Sequence, residues 1–490
     1  MVRINIVLTF SFIKEKLMKK LLALALGAML CTALAMPAQA QTKVSFSGWY
    51  RVLHHNLVNF NRAADSDLYQ SDSFFEHRLH LNVDFRPNDN ILVHWTLRAP
   101  NFARWGANAG AAANSEVGQT NAFPVYTRAI YATITQDWGK LSIGRLEETF
   151  PTSMNGLKSL GYSYGTTYIY ANPFDYKQVA DGIVYNYNMD NGFGVNVYYA
   201  KLITTDTTTT NTAKDSDWDR FGVEPTFKWD GGGAALNLEY QRDMRSVNTE
   251  KNYSFFVNPA LMQSWGDFSI RFEAKIGWGE TTFANTLVKQ KTEGLGLFLQ
   301  ASYKYGAGDV NLMAWFADGT SAEDNKRGKR NDLVGMGDFA PFLVAYYNVT
   351  LANKISTATG NGSYGGSIYG TANRGQLGVN GGRGAGGPSN HMGIGLLGNH
   401  NFTDTIRFNW GIGAFQLVEP PTSFPGLKKD LGVEVDLGVR VQLLKGVTFE
   451  SQFGYMFNGE AWANGTYGEL ATYKDAKDTF AWLNALQFAF

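Results

Sequence analysis

Hydrophobic and polar residues alternate along much of this chain. The pattern is clearest in three segments, residues 75–85, 268–278 and 431–443. In the second of them, Phe268 and Ile270 alternate with Ser269 and Arg271. A period of two indicates a β-strand with one apolar and one polar face, because successive side chains of a strand point in opposite directions. The pattern predicts an all-β protein.

Short and long connections alternate between these segments. The short ones resemble tight turns and are centred on residues 87–90, 136–138, 190–192, 230–233, 265–266, 306–308, 403–404 and 445–446. The long ones span residues 100–124, 147–180, 202–218, 280–292, 318–391 and 458–477. Tight turns at one rim and long loops at the other are typical of a transmembrane antiparallel β-barrel, whose apolar face contacts lipid and whose polar face lines water. In a soluble sandwich the apolar face would instead be the inner one.

The connections also give a strand count. They separate eighteen predicted strands, at residues 44–54, 74–86, 91–99, 125–135, 139–146, 182–189, 193–202, 220–229, 234–244, 252–264, 267–279, 293–305, 309–317, 391–402, 405–417, 430–444, 446–457 and 478–490. Residues 341–349 are strand-like too, but a barrel with both ends on one side needs an even number, so they are assigned to a long external loop, 318–391. Merging or dropping one hairpin gives the alternative of sixteen strands.

The amino-terminal residues 1–40 have the pattern of a secretory signal peptide. Lys19 and Lys20 precede the apolar run 21–30, and Ala40 ends a small-residue cleavage motif. Met18 is the predicted true start, and residues 41–490 form a single predicted barrel. Cys31 is the only cysteine and lies within the signal, so the secreted chain is predicted to contain no disulfide and no thiolate metal site.

Composition argues against nucleic-acid binding and against catalysis. The chain has 43 Lys and Arg residues and 43 Asp and Glu residues, whereas nucleic-acid binders are usually basic. Its seven histidines show no metal-ligand spacing. A glycine motif at residues 360–365 lacks the strand-to-helix context of a dinucleotide site. We therefore predict no nucleic-acid partner, no cofactor, no metal site and no catalytic residue.

Three segments resemble outer-membrane channels. Residues 126–148, YTRAIYATITQDWGKLSIGRLEE, resemble the hairpin that leads into the third loop of Gram-negative porins, and residues 181–200 resemble the hairpin that follows it. Residues 431–457 are similar to the closing hairpin of alginate-export-type channels. The resemblance implies a porin-like barrel in the outer membrane of a Gram-negative bacterium, surrounded by lipid and assembled as a homotrimer. The last strand, which ends on Phe490, has the apolar face that the barrel-assembly machinery reads in such proteins.

The resemblance also implies that residues 147–180 form a constriction loop that folds into the barrel. Candidate pore-lining residues follow from it and from the polar faces of the first five strands. The acidic candidates, at this loop, are Glu147, Glu148 and Asp175. The basic candidates are Arg51, Arg78, His80, Arg98 and Arg145, together with Arg128, which matches the family's arginine position but whose facing stays open.

The turn at residues 87–90 brings Arg98 opposite either Arg78 or His80, depending on the strand register. The Cβ atoms of opposed residues lie about 4.5–5.5 Å apart, so like charges placed there repel each other. An acidic loop against a basic wall would offset that repulsion and create a transverse field for polar solutes. Alternatively, the arginines only solvate a wide, water-filled lumen.

The sequence therefore favours a passive diffusion channel for small hydrophilic solutes and ions. A substrate-specific or polysaccharide-export channel is the alternative, suggested by eighteen strands and the carboxyl-terminal resemblance. A surface adhesin or a barrel enzyme is a third hypothesis, supported only by the length of loop 318–391.

Overall fold

The computed structural model describes twelve parts of the chain: residues 42–58, 71–104, 125–147, 179–203, 217–244, 249–283, 289–331, 334, 341–344, 389–419, 428–462 and 478–490. The predicted signal peptide and most of the predicted loops, including residues 148–178, lie outside them.

Eighteen long antiparallel strands within the described residues form one closed β-barrel. They are β1 (Lys43–Val58), β2 (Ser71–Asn88), β3 (Ile91–Arg104), β4 (Tyr126–Gln136), β5 (Gly139–Glu147), β6 (Val179–Asn188), β7 (Phe193–Ile203), β8 (Trp218–Trp229), β9 (Gly232–Asp243), β10 (Thr249–Trp265), β11 (Phe268–Phe283), β12 (Lys289–Tyr305), β13 (Gly308–Ala317), β15 (His391–Asn401), β16 (Ile406–Leu417), β17 (Asp430–Leu444), β18 (Val447–Asn458) and β19 (Thr479–Ala489). The fold class and the count of eighteen are confirmed.

Three short elements complete the described structure. The two-residue strand β14 (Lys329–Arg330) pairs in parallel with β12 and is not part of the barrel wall. It follows the helix α1 (Ala322–Lys326), and a short 3-10 helix spans Glu460–Trp462. No helix in the described parts of the chain combines the length and the apolar character that a membrane crossing requires.

Pairing of β1 with β19 closes the barrel. The two strands are in register from Trp49 opposite Ala489 to Val58 opposite Phe480. Beyond that ladder, the Gly48 N–H donates to the Phe490 carbonyl at 2.9 Å and the Phe490 N–H donates to the Gly48 carbonyl at 3.1 Å. Closure leaves no open sheet edge, which is a requirement for strands in lipid because an unpaired backbone group cannot bond to water there.

The tight turns lie where the sequence predicts them, at one rim of the barrel. Several of them contain a glycine with a left-handed backbone, among them Gly231 with φ 75° and Gly446 with φ 80°. At these two positions a neighbouring strand's carbonyl approaches closely: an added Cβ would lie 2.8 Å from the Ser264 oxygen or 2.6 Å from the Ala489 oxygen. Glycine at these positions therefore lets two adjacent strands meet tightly at the rim.

The two faces of the wall have the opposite polarity to those of a soluble β-sandwich, with apolar residues outside and polar residues inside. On β11, Phe272 is 39% exposed and Ile276 is 44% exposed, whereas the alternating Glu273 is only 1% exposed. The same contrast recurs around the wall, with exposed apolar residues such as Leu238, Leu299, Ile412 and Leu437 outside and buried polar residues such as Glu239, Gln300, Asn409 and Asp436 inside. The prediction that the apolar stripe faces outward is confirmed.

Candidate functional site in the barrel lumen

A cluster of basic residues lies on the inner wall at β1 to β4. Arg51 on β1 is directly opposite Arg78 on β2, and His80, one step along the same face, is directly opposite Arg98 on β3. The open choice of partner for Arg98 is therefore decided in favour of His80. Arg51 and Arg98 are both buried. Arg78 and His80 share a face because they are two residues apart, and direct opposition across the ladders places Arg51 and Arg98 on that face too.

Aromatic and imidazole groups separate the guanidinium groups of this basic cluster. The Trp49 ring stacks on His80 with 4.2 Å between ring centroids, and the Arg51 guanidinium carbon lies 4.9 Å from the Trp49 centroid. Arg98 Nε donates a hydrogen bond to His80 Nε2. Since that imidazole nitrogen accepts, it carries no proton. His80 thus takes part in the cluster as a hydrogen-bond acceptor.

Arg128 occupies a β-bulge in β4. Thr96 of β3 is opposite Ala129 and Leu97 is opposite Thr127, so Arg128 is the extra residue between them. A bulge breaks the alternation of faces at that point, which is why the sequence leaves its facing open. Arg128 lies within electrostatic range of His80, as do Arg51, Arg78 and Arg98. The structure thus brings four of the predicted arginines around one histidine.

Arg145 lies on the outer face, contrary to the prediction that it faces the lumen. It is opposite the exposed Ile130 in the β4–β5 register, and its guanidinium lies 3.7 Å from the Asp181 carboxylate, with 45% of the Arg145 side chain exposed. The sequence contained the signal: Leu141 and Ile143 share its phase along β5, and both are apolar. Near the strand end polar side chains are tolerated on the outer face, so charge no longer identifies the inner face there.

The three acidic candidates are not brought to the basic cluster by any described contact. Glu147 is the last residue of β5, opposite Val179. Glu148 and Asp175 lie outside the described residues. Their role in a constriction loop stays a prediction.

A second set of inner-wall charges, on β8 to β11, was not singled out from the sequence. Arg220 Nε donates to Glu239 Oε2 at 2.9 Å, and the Tyr198 hydroxyl donates to the same oxygen at 2.6 Å. On β11, Arg271 lies 3.2 Å from Glu273. These groups are buried and form ion pairs, as buried charges must because an isolated charge is costly away from water. Extending the alternation rule to β8–β11 would have placed them on the inner face.

Residues 341–344, which the sequence assigns to an external loop, lie inside the barrel instead. The Leu343 N–H donates to Asp436 Oδ2 at 3.0 Å, and the Val344 N–H donates to Glu434 Oε1 at 2.5 Å. Asp436 and Glu434 are buried residues on the inner face of β17. A short apolar segment carries no local signal that distinguishes a loop outside the barrel from one resting on the inner wall, so its position differs from the prediction while its assignment to a loop does not. Its exclusion from the strand count was nevertheless correct, since these residues form no ladder with the wall.

Within the described parts of the chain, no group of three or more His, Cys, Asp or Glu residues is arranged to hold a metal ion.

The chain resembles known proteins in both sequence and structure. Residues 23–263 match the family model of Gram-negative porins. The structure resembles OccK9 (OpdG) of Pseudomonas aeruginosa, with a TM-score of 0.50 and 11% identity over 91% of this chain and 98% of that one. It also resembles the anion-selective porin from Comamonas acidovorans, with a TM-score of 0.45 and 12% identity over 92% of this chain and 100% of that one. No curated protein sequence matches the chain.

The match and the closed eighteen-stranded wall decide the class. The protein is a porin-like outer-membrane β-barrel. This porin-like barrel presents its apolar face to lipid and its polar face to a lumen, which is the arrangement of a channel.

Proposed function

We propose that the porin-like barrel is a passive diffusion channel for small hydrophilic solutes and ions. The inner wall supports this most directly, because buried charged or amide side chains lie on β1–β3, on β8–β13 and on β15–β18. Such a wall lowers the cost of moving a polar solute through the apolar bilayer. Permeation of this kind is governed by lumen width and charge and needs no catalytic residue.

The family match favours a porin over the polysaccharide-export alternative. Within the proposed function, the basic cluster formed by Arg51, Arg78, Arg98 and Arg128 around His80 is our candidate for the selectivity region. Four guanidinium groups on one side of a lumen attract anions and repel cations at short range. The acidic residues Glu147, Glu148 and Asp175 remain candidates for the opposing charge.

The outer face of the barrel carries a group of polar residues that bears on subunit assembly. Ser451, Asn484 and His54 lie side by side on β18, β19 and β1, and His54 Nε2 is 3.0 Å from the Ser73 hydroxyl of β2. These four residues form an outer polar patch on β18, β19, β1 and β2. Polar groups are unfavourable against lipid, so we propose that a second subunit covers the patch in a homotrimer of the kind implied by the resemblance to porins.

Recording from protein purified in detergent and inserted into planar bilayers tests the channel function. We expect stepwise conductance increments, and liposome swelling rates that fall smoothly as the added sugar becomes larger. Saturable block by one oligosaccharide would instead favour a substrate-specific channel. An absence of conductance from correctly folded protein, judged by its β-sheet circular dichroism and heat-dependent gel mobility, would contradict the proposal.

A further inference from the structure

Residues 342–344 are apolar and almost completely buried inside the barrel. Phe342 is 1% exposed, Leu343 is 2% exposed and Val344 is 0% exposed. In the sequence they lie between β13 and β15, yet their contacts extend over the inner faces of β13, β15, β16, β17 and β18. We call residues 342–344 the inner segment.

Two glycines make room for its aromatic ring. A Cβ added at Gly413 would lie 2.4 Å from the Phe342 ring, and a Cβ added at Gly395 would lie 2.7 Å from it. Both distances are far below van der Waals contact, so no larger residue fits while the ring is in place. Phe415 meets the same ring edge-on with 5.1 Å between centroids. The wall is therefore shaped to receive Phe342.

Two carboxylates hold the backbone of the inner segment. Glu434 and Asp436 are two residues apart on β17, so they project from the same face, and they accept the N–H groups of Val344 and Leu343. Both carboxyl groups are buried, so losing a backbone donor would leave a polar atom without its hydrogen bond away from water, which is costly. The side chain of Leu343 also packs tightly on the wall, because a Cβ added at Gly454 of β18 would lie 3.1 Å from the Leu343 Cβ.

We propose that the inner segment is a fixed constriction of the lumen and that Glu434 and Asp436 are the positioning residues that seat it. This inference rests on the proposed channel function and assigns to β15–β18 a role in setting the open cross-section. The carboxylates act on solutes through the segment they hold. Removing them releases an apolar segment from the wall and changes how much of the lumen it fills.

Thiol labelling tests, independently of conductance, whether Glu434 and Asp436 hold the inner segment on the wall. The full chain is expressed, and the protein is purified from outer membranes with Leu343→Cys as its only thiol outside the signal peptide. In this background, Glu434→Ala with Asp436→Ala should raise the maleimide labelling rate at least about tenfold, since both hydrogen bonds that hold the inner segment are lost. Glu450→Ala is the matched control, because Glu450 is equally buried on the inner face of neighbouring β18 and accepts from Gln452. Equal labelling rates in all three proteins would overturn the proposal.

A disulfide tests the link to permeation. Leu343→Cys with Gly454→Cys should form a bond under mild oxidation, because the two Cβ positions are close to the disulfide range of about 3.5–4.5 Å. Oxidised and reduced proteins should conduct alike when Glu434 and Asp436 are present. With both replaced by Ala, the reduced protein should differ in conductance from the oxidised one by about twofold or more, since flux depends on pore width. The inference would be overturned if the disulfide failed to form, or if the oxidised and reduced proteins lacking both acidic residues conducted equally. A lack of conductance in every protein would count against the channel function alone.

Discussion

At the scale of single residues, the basic cluster shows how a β-barrel can place like charges side by side. Arg51 opposes Arg78, and Arg98 opposes a histidine that accepts its hydrogen bond. The rings of Trp49 and His80 lie among these groups. An aromatic face attracts a guanidinium, so part of the repulsion in the cluster is offset locally.

Replacing both Arg78 and Arg98 with Ala should raise the cation-to-anion permeability ratio. A unit charge acts on an ion about 4 Å away in water with about 1 kcal/mol, so we expect a rise of about twofold to fivefold. Reversal potentials in a salt gradient across a planar bilayer measure it. Arg145→Ala is the control, because its guanidinium is on the outer face beside Asp181. An unchanged reversal potential in the double variant would remove the cluster from the permeation path.

A second residue-scale prediction concerns Gly222. The Tyr198 ring crosses it to reach Glu239, and an added Cβ would lie 2.1 Å from that ring. Gly222→Ala should destabilise the barrel by about 1–3 kcal/mol, as overpacking does, because the hydrogen-bonded ring cannot simply swing away. The unfolding midpoint in denaturant measures the loss. Gly306→Ala should leave it unchanged, since nothing lies within 4 Å of its added Cβ; equal midpoints for both would show that the ring adapts.

At the scale of strands, the ladder extends further than the apolar pattern does. β11 reaches Phe283 and β12 begins at Lys289, although residues 280–292 were predicted as a loop. Glu280 opposes Lys291 in this extension, and Glu280 also lies 3.2 Å from Lys289. Beyond the hydrocarbon region both faces are wet, so alternation ends while backbone pairing continues. Polarity therefore marks the membrane-spanning part of a strand better than its full length.

One substitution can separate barrel closure by the carboxyl-terminal strand from its proposed recognition by the assembly machinery. Phe490→Ala keeps both backbone hydrogen bonds with Gly48, so the variant should refold in detergent with the yield of the unchanged protein. If the assembly machinery reads Phe490, as we propose, the same variant should accumulate several-fold less in outer membranes. Immunoblots of membrane fractions measure that amount. Normal accumulation in cells would refute the recognition role, and deletion of residue 490 is the comparison that also removes the bonds.

At the scale of the whole molecule, a chain with equal numbers of acidic and basic residues separates its charge around the lumen. Guanidinium groups gather at β1–β4, ion pairs occupy β8–β11, and the carboxylates of Glu434, Asp436 and Glu450 lie on β17 and β18. Net charge therefore says little about the field that a solute meets inside.

The outer polar patch leads to a prediction about assembly. His54→Glu places a charge in the proposed subunit contact, where desolvation is costly, and should convert the proposed homotrimer to monomers. Light scattering of detergent complexes, corrected for bound detergent, measures the mass. Leu299→Glu is the control, because Leu299 is an exposed outer-face residue of β12, far along the strand order from the patch. A trimer in the His54 variant, or a monomer in the unchanged protein, would contradict the proposed contact.

The sequence by itself determined the inverted faces, the eighteen strands and the tight turns, because alternation and turn composition are local properties of the chain. It also placed Arg51, Arg78, His80 and Arg98 on one face, since these positions keep the same phase within their strands. What it could not supply was the register between strands, which made His80 and not Arg78 the partner of Arg98. The register of this hairpin depends on its turn and on the irregularity of the ladder between Phe85 and Asn88, and the alternation within a single strand carries no record of either.

Only the tertiary structure decided three other features. The bulge at Arg128 exists through its pairing with β3. Arg145 has Asp181 as its neighbour only because β5 pairs with β6. The inner segment rests on glycines and carboxylates that lie more than fifty residues away in the chain. Each depends on contacts between separate parts of the sequence, and closure of the barrel is the physical step that brings them together.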